Sequence, residues 1–73
     1  MKKHWYSFTF SEYSLGVAKT TSVYMAWDKQ YVNISRINSA KESAGASQEA
    51  VMLSCSYLGY MTKEVMTLGE GND

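Results

Sequence analysis

The sequence contains no proline, one cysteine (Cys55) and one histidine (His4) among its 73 residues. A single cysteine excludes an internal disulfide, and one cysteine with one histidine cannot supply the four ligands of a closed zinc site. We therefore expect no metal and no cofactor. A chain this short buries only about 60% of the surface that its unfolded form exposes, so its stability must come from regular packing or self-association.

The sequence also has no excess of positive or negative charge, because seven basic and seven acidic residues give a formal net charge of zero. Nucleic-acid binding depends on clustered Lys and Arg, and here they are dispersed, so we expect nucleic acid not to be the partner. No apolar run approaches the ~20 residues of a membrane span. The N-terminal lysines are not followed by the apolar segment of a signal peptide. With a lone thiol, these features predict a cytoplasmic protein that contacts no membrane.

What the sequence does contain is a regular alternation of apolar and polar residues near its N-terminus. The segment KHWYSFTFSEYS, residues 3–14, carries five aromatic rings in twelve residues, and its apolar side chains alternate with Ser and Thr. This pattern predicts a first strand over residues 4–13. A second alternating run covers residues 19–27. The short connection containing Gly16 predicts that the two strands form an antiparallel hairpin.

The period then changes from that of a strand to that of a helix. The residues at helical spacing are Ile34, Ile37, Ala40, Lys41 and Ala44. Asn33 or Ser35 can cap the N-terminus of this helix, and Gly45 suits the left-handed residue that follows its C-terminus. A helix of about three turns is not stable alone in water, so we expect it to pack on a sheet.

A third alternating run, residues 50–58, predicts a third strand that Gly59 ends or bends. Thr62 can cap a short helical turn over residues 62–68, with Glu64 in its first turn. We expect residues 1–68 to form one domain and the polar, glycine-rich residues 69–73 to form a flexible C-terminal tail.

These elements predict an α+β fold, a two-layer ββαβ sandwich with a three-stranded antiparallel sheet of order 2-1-3. One helix packs on one face of the sheet. The residues expected beneath the helix are Phe8, Phe10, Val23, Met25, Leu53 and Cys55. The residues expected on the open face are Ser7, Thr9, Ser22, Tyr24, Ser54 and Ser56.

The sequence offers poor material for catalysis. His4 with Cys55 or a serine would need a third group to orient the base, and a pocket that excludes water. Cys55 alternates onto the expected core face, where a cysteine behaves as an inert apolar residue. We therefore expect no enzymatic activity.

Exposed aromatic residues are better candidates for a site. The residues selected as partner-binding candidates are Trp5, Tyr24, Tyr57, Leu58, Tyr60 and Met61. Three interpretations remain open for them: ordinary cross-strand pairing, anchoring of a protein interface, and stacking of unpaired bases on the open sheet face, with Lys3 and Lys19 nearby.

The edges of the predicted sheet are also unusual. Natural edge strands are blunted by charge, proline or bulges, but the third strand has no charged residue between Glu49 and Lys63. Such an edge favours cover by the C-terminal turn, by a partner strand, or by a second copy in a homodimer.

The segment from Tyr31 to Thr62, under half of the chain, resembles the middle of small uncharacterised proteins encoded by bacteriophages and prophages of enteric bacteria. The shared pattern is a short helix, "RI..AK...G", followed by a strand ending in "SYLG.MT". The matching residues are Arg36, Ile37, Ala40, Lys41, Gly45, Ser56, Tyr57, Leu58, Gly59, Met61 and Thr62. The resemblance implies an accessory phage protein. Genes of this size often encode inhibitors or modulators of host machinery, including anti-CRISPR and anti-restriction proteins.

The favoured hypothesis is thus a small protein-binding module without enzymatic activity, derived from a phage, that inhibits or modulates a host or phage protein complex. One alternative is a single-stranded nucleic-acid-binding protein that uses the open sheet face. A further alternative is a structural homo-oligomer.

Overall fold

The computed structural model describes residues 1–68 and has an α+β fold. Its elements are β1 (Lys3–Ser14), β2 (Val17–Trp27), α1 (Ile34–Ala44), β3 (Val51–Met61) and α2 (Lys63–Leu68). The sheet has the order β2-β1-β3, and both pairs of strands are antiparallel. This confirms the predicted 2-1-3 sheet with one helix and a short C-terminal helix. The tail predicted over residues 69–73 lies outside the described residues.

The hairpin between β1 and β2 is tighter than predicted. Ser14 pairs directly with Val17, so the loop is only Leu15 and Gly16, whose φ angles are 53° and 80°. Positive φ at both positions is the geometry of a type I′ turn, which matches the twist of paired strands. β2 therefore starts two residues earlier than its alternation indicates.

Helix α1 has the predicted bounds, and its ends are capped as expected. The Asn33 side chain accepts a hydrogen bond from the backbone N–H of Arg36 at 3.0 Å, so Asn33 rather than Ser35 is the N-cap. Gly45 has a φ of 76°. The N–H groups of Gly45 and Ala46 donate to the carbonyls of Glu42 and Lys41, which completes a Schellman motif.

The buried core lies between α1 and the β1–β2 half of the sheet. Phe8 and Phe10 are fully buried, with stacked rings whose centroids are 6.0 Å apart. The other buried members are Tyr6, Ala40, Ala46 and Ala50, and the half-buried residues packed against them are Val23, Met25, Trp27, Val32, Ile37 and Ala44. Over residues 1–68, this cluster contains no residue of β3.

Two residues predicted to be buried beneath the helix are exposed instead. Leu53 is 59% exposed, and Cys55 is also exposed. At the start of α1, Ile34 is 71% exposed although it was assigned to the apolar stripe. Leu53 and Cys55 stay exposed because α1 packs mainly on β2 and over Phe8 and Phe10 of β1, and the core cluster of the described residues includes no residue of β3.

Arg36 links the start of α1 to the end of β2. Its guanidinium contacts two rings, 4.7 Å from the centroid of Trp27 and 3.8 Å from that of Tyr31. One of its terminal nitrogens donates to the carbonyls of Lys29 and Tyr31, at 2.8 Å each. These contacts fix the loop between β2 and α1 and hold the start of the helix against the end of β2.

The third strand is longer and less regular than predicted. It continues through Gly59 to Met61, and its register against β1 shifts once between Trp5 and Tyr6 and once between Thr9 and Phe10. The residues left without a direct partner at these shifts are Leu58 and Leu53. Gly59 has a φ of 132° beside the first shift, so it bends the strand rather than ending it.

Candidate protein-binding surface on strand β3

Strand β3 is exposed along its length, on both faces and at its outer edge. Every residue from Val51 to Leu58 is exposed, and no strand among the described residues pairs with its outer side. Helix α2 leaves the strand uncovered, so the C-terminal turn does not fold over this edge as one of the predictions had it. We call the large apolar residues exposed here the β3 surface: Val51, Met52, Leu53, Tyr57, Leu58 and Tyr60.

The pairing with β1 determines which side chains of β3 share the face of the core. Directly opposed residues on antiparallel strands point to the same face. Cys55 opposes the buried Phe8, and Tyr57 opposes Tyr6, with ring centroids 5.2 Å apart. Cys55 and Tyr57 thus continue the apolar face of the core beyond the area that α1 covers.

The edge of β3 lacks two of the usual devices that prevent pairing with another chain, charge and proline, and its bulges lie at either side of a regular stretch. Residues 50–62 include no charged residue and no proline. The two bulges leave a regular stretch between them, residues 54–57. An edge of this kind presents free backbone N–H and C=O groups next to apolar side chains, which is how a sheet accepts an additional strand.

An aromatic cluster closes the end of the β3 surface that is near the chain's N-terminus. A hydrogen bond of 2.8 Å joins His4 Nδ1 to the hydroxyl of Tyr57, and the His4 ring lies 4.6 Å from the Tyr60 ring. Lys2 Nζ lies 5.8 Å from the Tyr60 centroid. Burial, with the Tyr57 hydroxyl nearby, raises the pKa of Tyr6. The candidates Tyr57 and Tyr60 are thus held in place by neighbours while remaining about half exposed.

The two residues considered for catalysis do not form a pair. His4 is bonded to Tyr57 rather than to Cys55. Desolvation by surrounding protein atoms raises the pKa of the Cys55 thiol, which is the opposite of the shift that activates a catalytic cysteine. Among residues 1–68, no three His, Cys, Asp or Glu side chains converge as metal ligands would.

The other candidates lie elsewhere. Trp5 and Tyr24 point to the open face, where Trp5 lies between Ala26 and Gly59, and Tyr24 is 62% exposed. The Trp5 indole donates to the carbonyl of Met61 at 3.0 Å, which leaves the ring partly buried. The structure therefore separates the six candidates: Trp5, Tyr24 and Met61 lie on the open face, Tyr57 and Tyr60 on the face of the core, and Leu58 in a bulge at the edge.

The two lysines expected beside the open face are not free cations there. Lys3 Nζ lies 3.0 Å from Asp28 Oδ1, and this contact lowers the pKa of the Asp28 carboxyl. Lys19 opposes Glu12 and shares the face of Phe8 and Phe10, so it lies on the face of α1 rather than on the open face. Stacking of bases on Trp5 and Tyr24 would need free positive charge beside the rings to hold the phosphates.

A shallow concavity of about 700 Å³ borders the β3 surface at the end where the strand begins. Its wall includes Glu12, Glu49, Val51 and Leu53. The Glu12 carboxylate accepts from the backbone N–H of Ser47, at 3.4 Å for each oxygen. The concavity is therefore an acidic rim beside exposed apolar residues and extends the β3 surface toward the hairpin turn.

Sequence reasoning identified Tyr57, Leu58 and Tyr60 but did not include Leu53, Val51 or His4. The exposure of Leu53 depends on the lateral position of α1 and on the bulge, and neither has a local signal. The partnership of His4 with Tyr57 joins residues 53 positions apart. Only the predicted 2-1-3 strand order, which puts residue 4 beside the end of the third strand, points to it.

Comparison of the chain with protein-family models, curated proteins and solved structures finds no match. The described residues contain no helix that is both long enough and apolar enough to cross a membrane. The function is therefore argued from the geometry of the β3 surface.

Proposed function

We propose that this protein is a protein-binding module without enzymatic activity, and that the β3 surface is where it binds. The observation that carries this proposal is that α1 covers only the β1–β2 half of the sheet. An apolar face of the core continues uncovered across Cys55 and Tyr57 to a free, uncharged edge. Contiguous apolar surface of this kind typically marks an interaction site.

The chemistry of the surface fits a protein partner. An incoming strand would satisfy the free backbone groups of β3, and its side chains would bury the exposed Leu and Tyr residues. Tyr57 and Tyr60 are already fixed by the His4 contacts, so binding them costs little side-chain entropy. Tyr residues in such positions commonly anchor protein interfaces.

The setting we propose follows from the resemblance of residues 31–62 to phage accessory proteins. In that setting, the module would occupy a surface on a host or phage complex and inhibit or modulate it.

Affinity capture with matched variants tests the proposal. The first variant combines Leu53→Lys with Leu58→Lys on β3. The control combines Val17→Lys with Tyr24→Lys on β2, where the two native residues are at least as exposed as Leu53 and Leu58. We expect the wild type and the β2 control to retain a stoichiometric bacterial protein that the β3 variant loses. Recovery of nucleic acid alone at physiological salt, or loss of the protein only in the β2 control, would contradict the proposal.

A further inference from the structure

We propose that the β3 surface binds a second copy of this chain, with β3 paired antiparallel to β3 about a two-fold axis at Cys55 or Ser56. The product is a six-stranded sheet of order β2-β1-β3-β3-β1-β2 with both α1 helices on one face. This inference rests on the proposed function: the second copy covers the β3 surface of the free protein, and the host or phage protein takes its place on binding.

The absence of charge on β3 suits a second copy in particular. In a two-fold pair, each residue meets a residue of the same segment, so any charge near the centre would face its own copy. Like charges directly opposite across strands are destabilising. Residues 50–62 carry none, whereas the other edge strand, β2, carries Lys19.

The apolar area exposed on β3 sets an upper bound on what the pairing can bury, and that bound is of the size a stable dimer needs. The exposed fractions of the six residues of the β3 surface add up to about three whole residues. At roughly 150–200 Å² for each large apolar residue, this is on the order of 500 Å² per copy. A stable interface buries about 800 Å² per partner, of which about 60% is apolar.

The geometry of antiparallel pairing limits where the axis lies. Opposed residues must point to the same face. One residue of β3 must therefore lie directly opposite its own copy, with the two-fold axis between them. Within the regular stretch of residues 54–57, the central choices are Cys55 and Ser56. An axis at Cys55 places the two thiols directly opposite each other, about 5 Å apart at Cα. An axis at Ser56 places them diagonally, at about 7–8 Å.

Cross-linking through the native Cys55 thiol therefore tests the proposed pairing of β3 with β3 in the wild-type sequence. A short bis-maleimide should join two copies of the wild-type chain through Cys55 at dilute protein concentration. The control chain combines Cys55→Ser with Ser39→Cys, which moves the thiol to an exposed position of α1. We expect this control to remain monomeric on a denaturing gel under the same conditions.

Sedimentation equilibrium over a concentration series gives the second readout. We expect the wild type to sediment as a dimer, and Ser56→Lys to weaken the dimer by about tenfold or more, since two like charges meet near the axis. The control is Thr20→Lys, the same change on the exposed part of β2. Circular dichroism verifies that both variants fold.

A wild type at monomer mass up to high micromolar concentration would overturn the self-association. So would a dimer that Thr20→Lys disrupts and Ser56→Lys does not. If the monomeric chain still captures a bacterial protein through Leu53 and Leu58, the dimer fails while the proposed function stands. In the remaining case the wild type is cross-linked through Cys55, and the β3 and β2 variants capture the same bacterial protein equally. That result would support self-association and contradict β3 as the target-binding surface.

Discussion

Phe8 and Cys55 lie opposite each other on neighbouring strands and point to the same face, yet Phe8 is fully buried and Cys55 is exposed. The difference arises from α1, which covers β1 and β2 and stops short of β3. Alternation determines which face a side chain joins, whereas burial depends on where the second layer lies. In this protein the core lies in the β1–β2–α1 half, and the β3 half leaves the same apolar face uncovered.

The contrast is tested most strongly by removing one large side chain from each half. Phe8→Ala should lower the free energy of unfolding by about 3–5 kcal/mol, because it leaves a cavity in the core. That is close to all the stability expected of a chain this small. Leu53→Ala should change it by less than about 1 kcal/mol in dilute solution. Urea denaturation followed by circular dichroism measures both, and equal losses would mean that β3 also belongs to the monomer core.

The position of α1 is tested by removing the contacts of Arg36. Arg36→Met should cost about 1–2 kcal/mol, since charge-assisted hydrogen bonds to two carbonyls and the contacts with the rings of Trp27 and Tyr31 are lost together. Arg36→Lys should recover little of this, because an ammonium cannot lie flat against the rings while it donates to both carbonyls. Lys29→Met, in the same loop, is the control. Thermal denaturation with equal midpoints for all three variants would show that Arg36 does not fix the helix.

The N-cap of α1 offers a smaller test within the β1–β2–α1 half. Asn33→Ala should lower the free energy of unfolding by about 1 kcal/mol, because the N–H of Arg36 loses its acceptor. Ser35→Ala, two residues later, should change it by less than about 0.5 kcal/mol. If chemical denaturation ranks the two variants in the opposite order, the cap has been assigned to the wrong residue.

The smallest expected effect appears at alkaline pH. The pKa of Tyr6 is raised above its ordinary value of 10.0, mainly by burial, so the unfolded chain releases this proton before the folded chain does. The contribution is fully present below pH 10 and is lost as pH rises through the folded pKa. We expect Tyr6→Phe to move the midpoint of alkaline unfolding to higher pH. Tyr13→Phe, at an exposed position of the same strand, should leave it unchanged, and a shift of similar size in both variants would contradict the assignment.

The parts of the fold that the sequence predicts are those with a local signal. The alternation around Phe8 and Phe10 identifies the central strand, and Asn33 and Gly45 mark both ends of α1. The strand order followed from connecting these elements with every pair antiparallel. Each of these inferences needs only neighbouring residues and simple rules of chain connection.

The parts that could not be predicted depend on contacts distant in sequence. The contacts that Arg36 makes with Trp27 and Tyr31 link the start of α1 to the end of β2, and no periodicity encodes them. The bulges at Leu53 and Leu58 depend on the register between β1 and β3. The candidate site was therefore only partly recognised: Tyr57, Leu58 and Tyr60 were chosen for their composition and lack of charge, while Leu53 was assigned to a core that does not reach it.

Amide hydrogen exchange at two protein concentrations tests the central claim most directly, because it reports on each edge of the sheet separately. In dilute protein, we expect the outward-facing amides of β3 between Ser54 and Tyr57 to exchange much faster than the amides of β1. At high concentration those β3 amides should become protected, while the outward-facing amides of β2 stay unchanged. Protection that is independent of concentration on β3, or that appears on β2 instead, would contradict the claim that β3 is the surface where this protein binds a second chain.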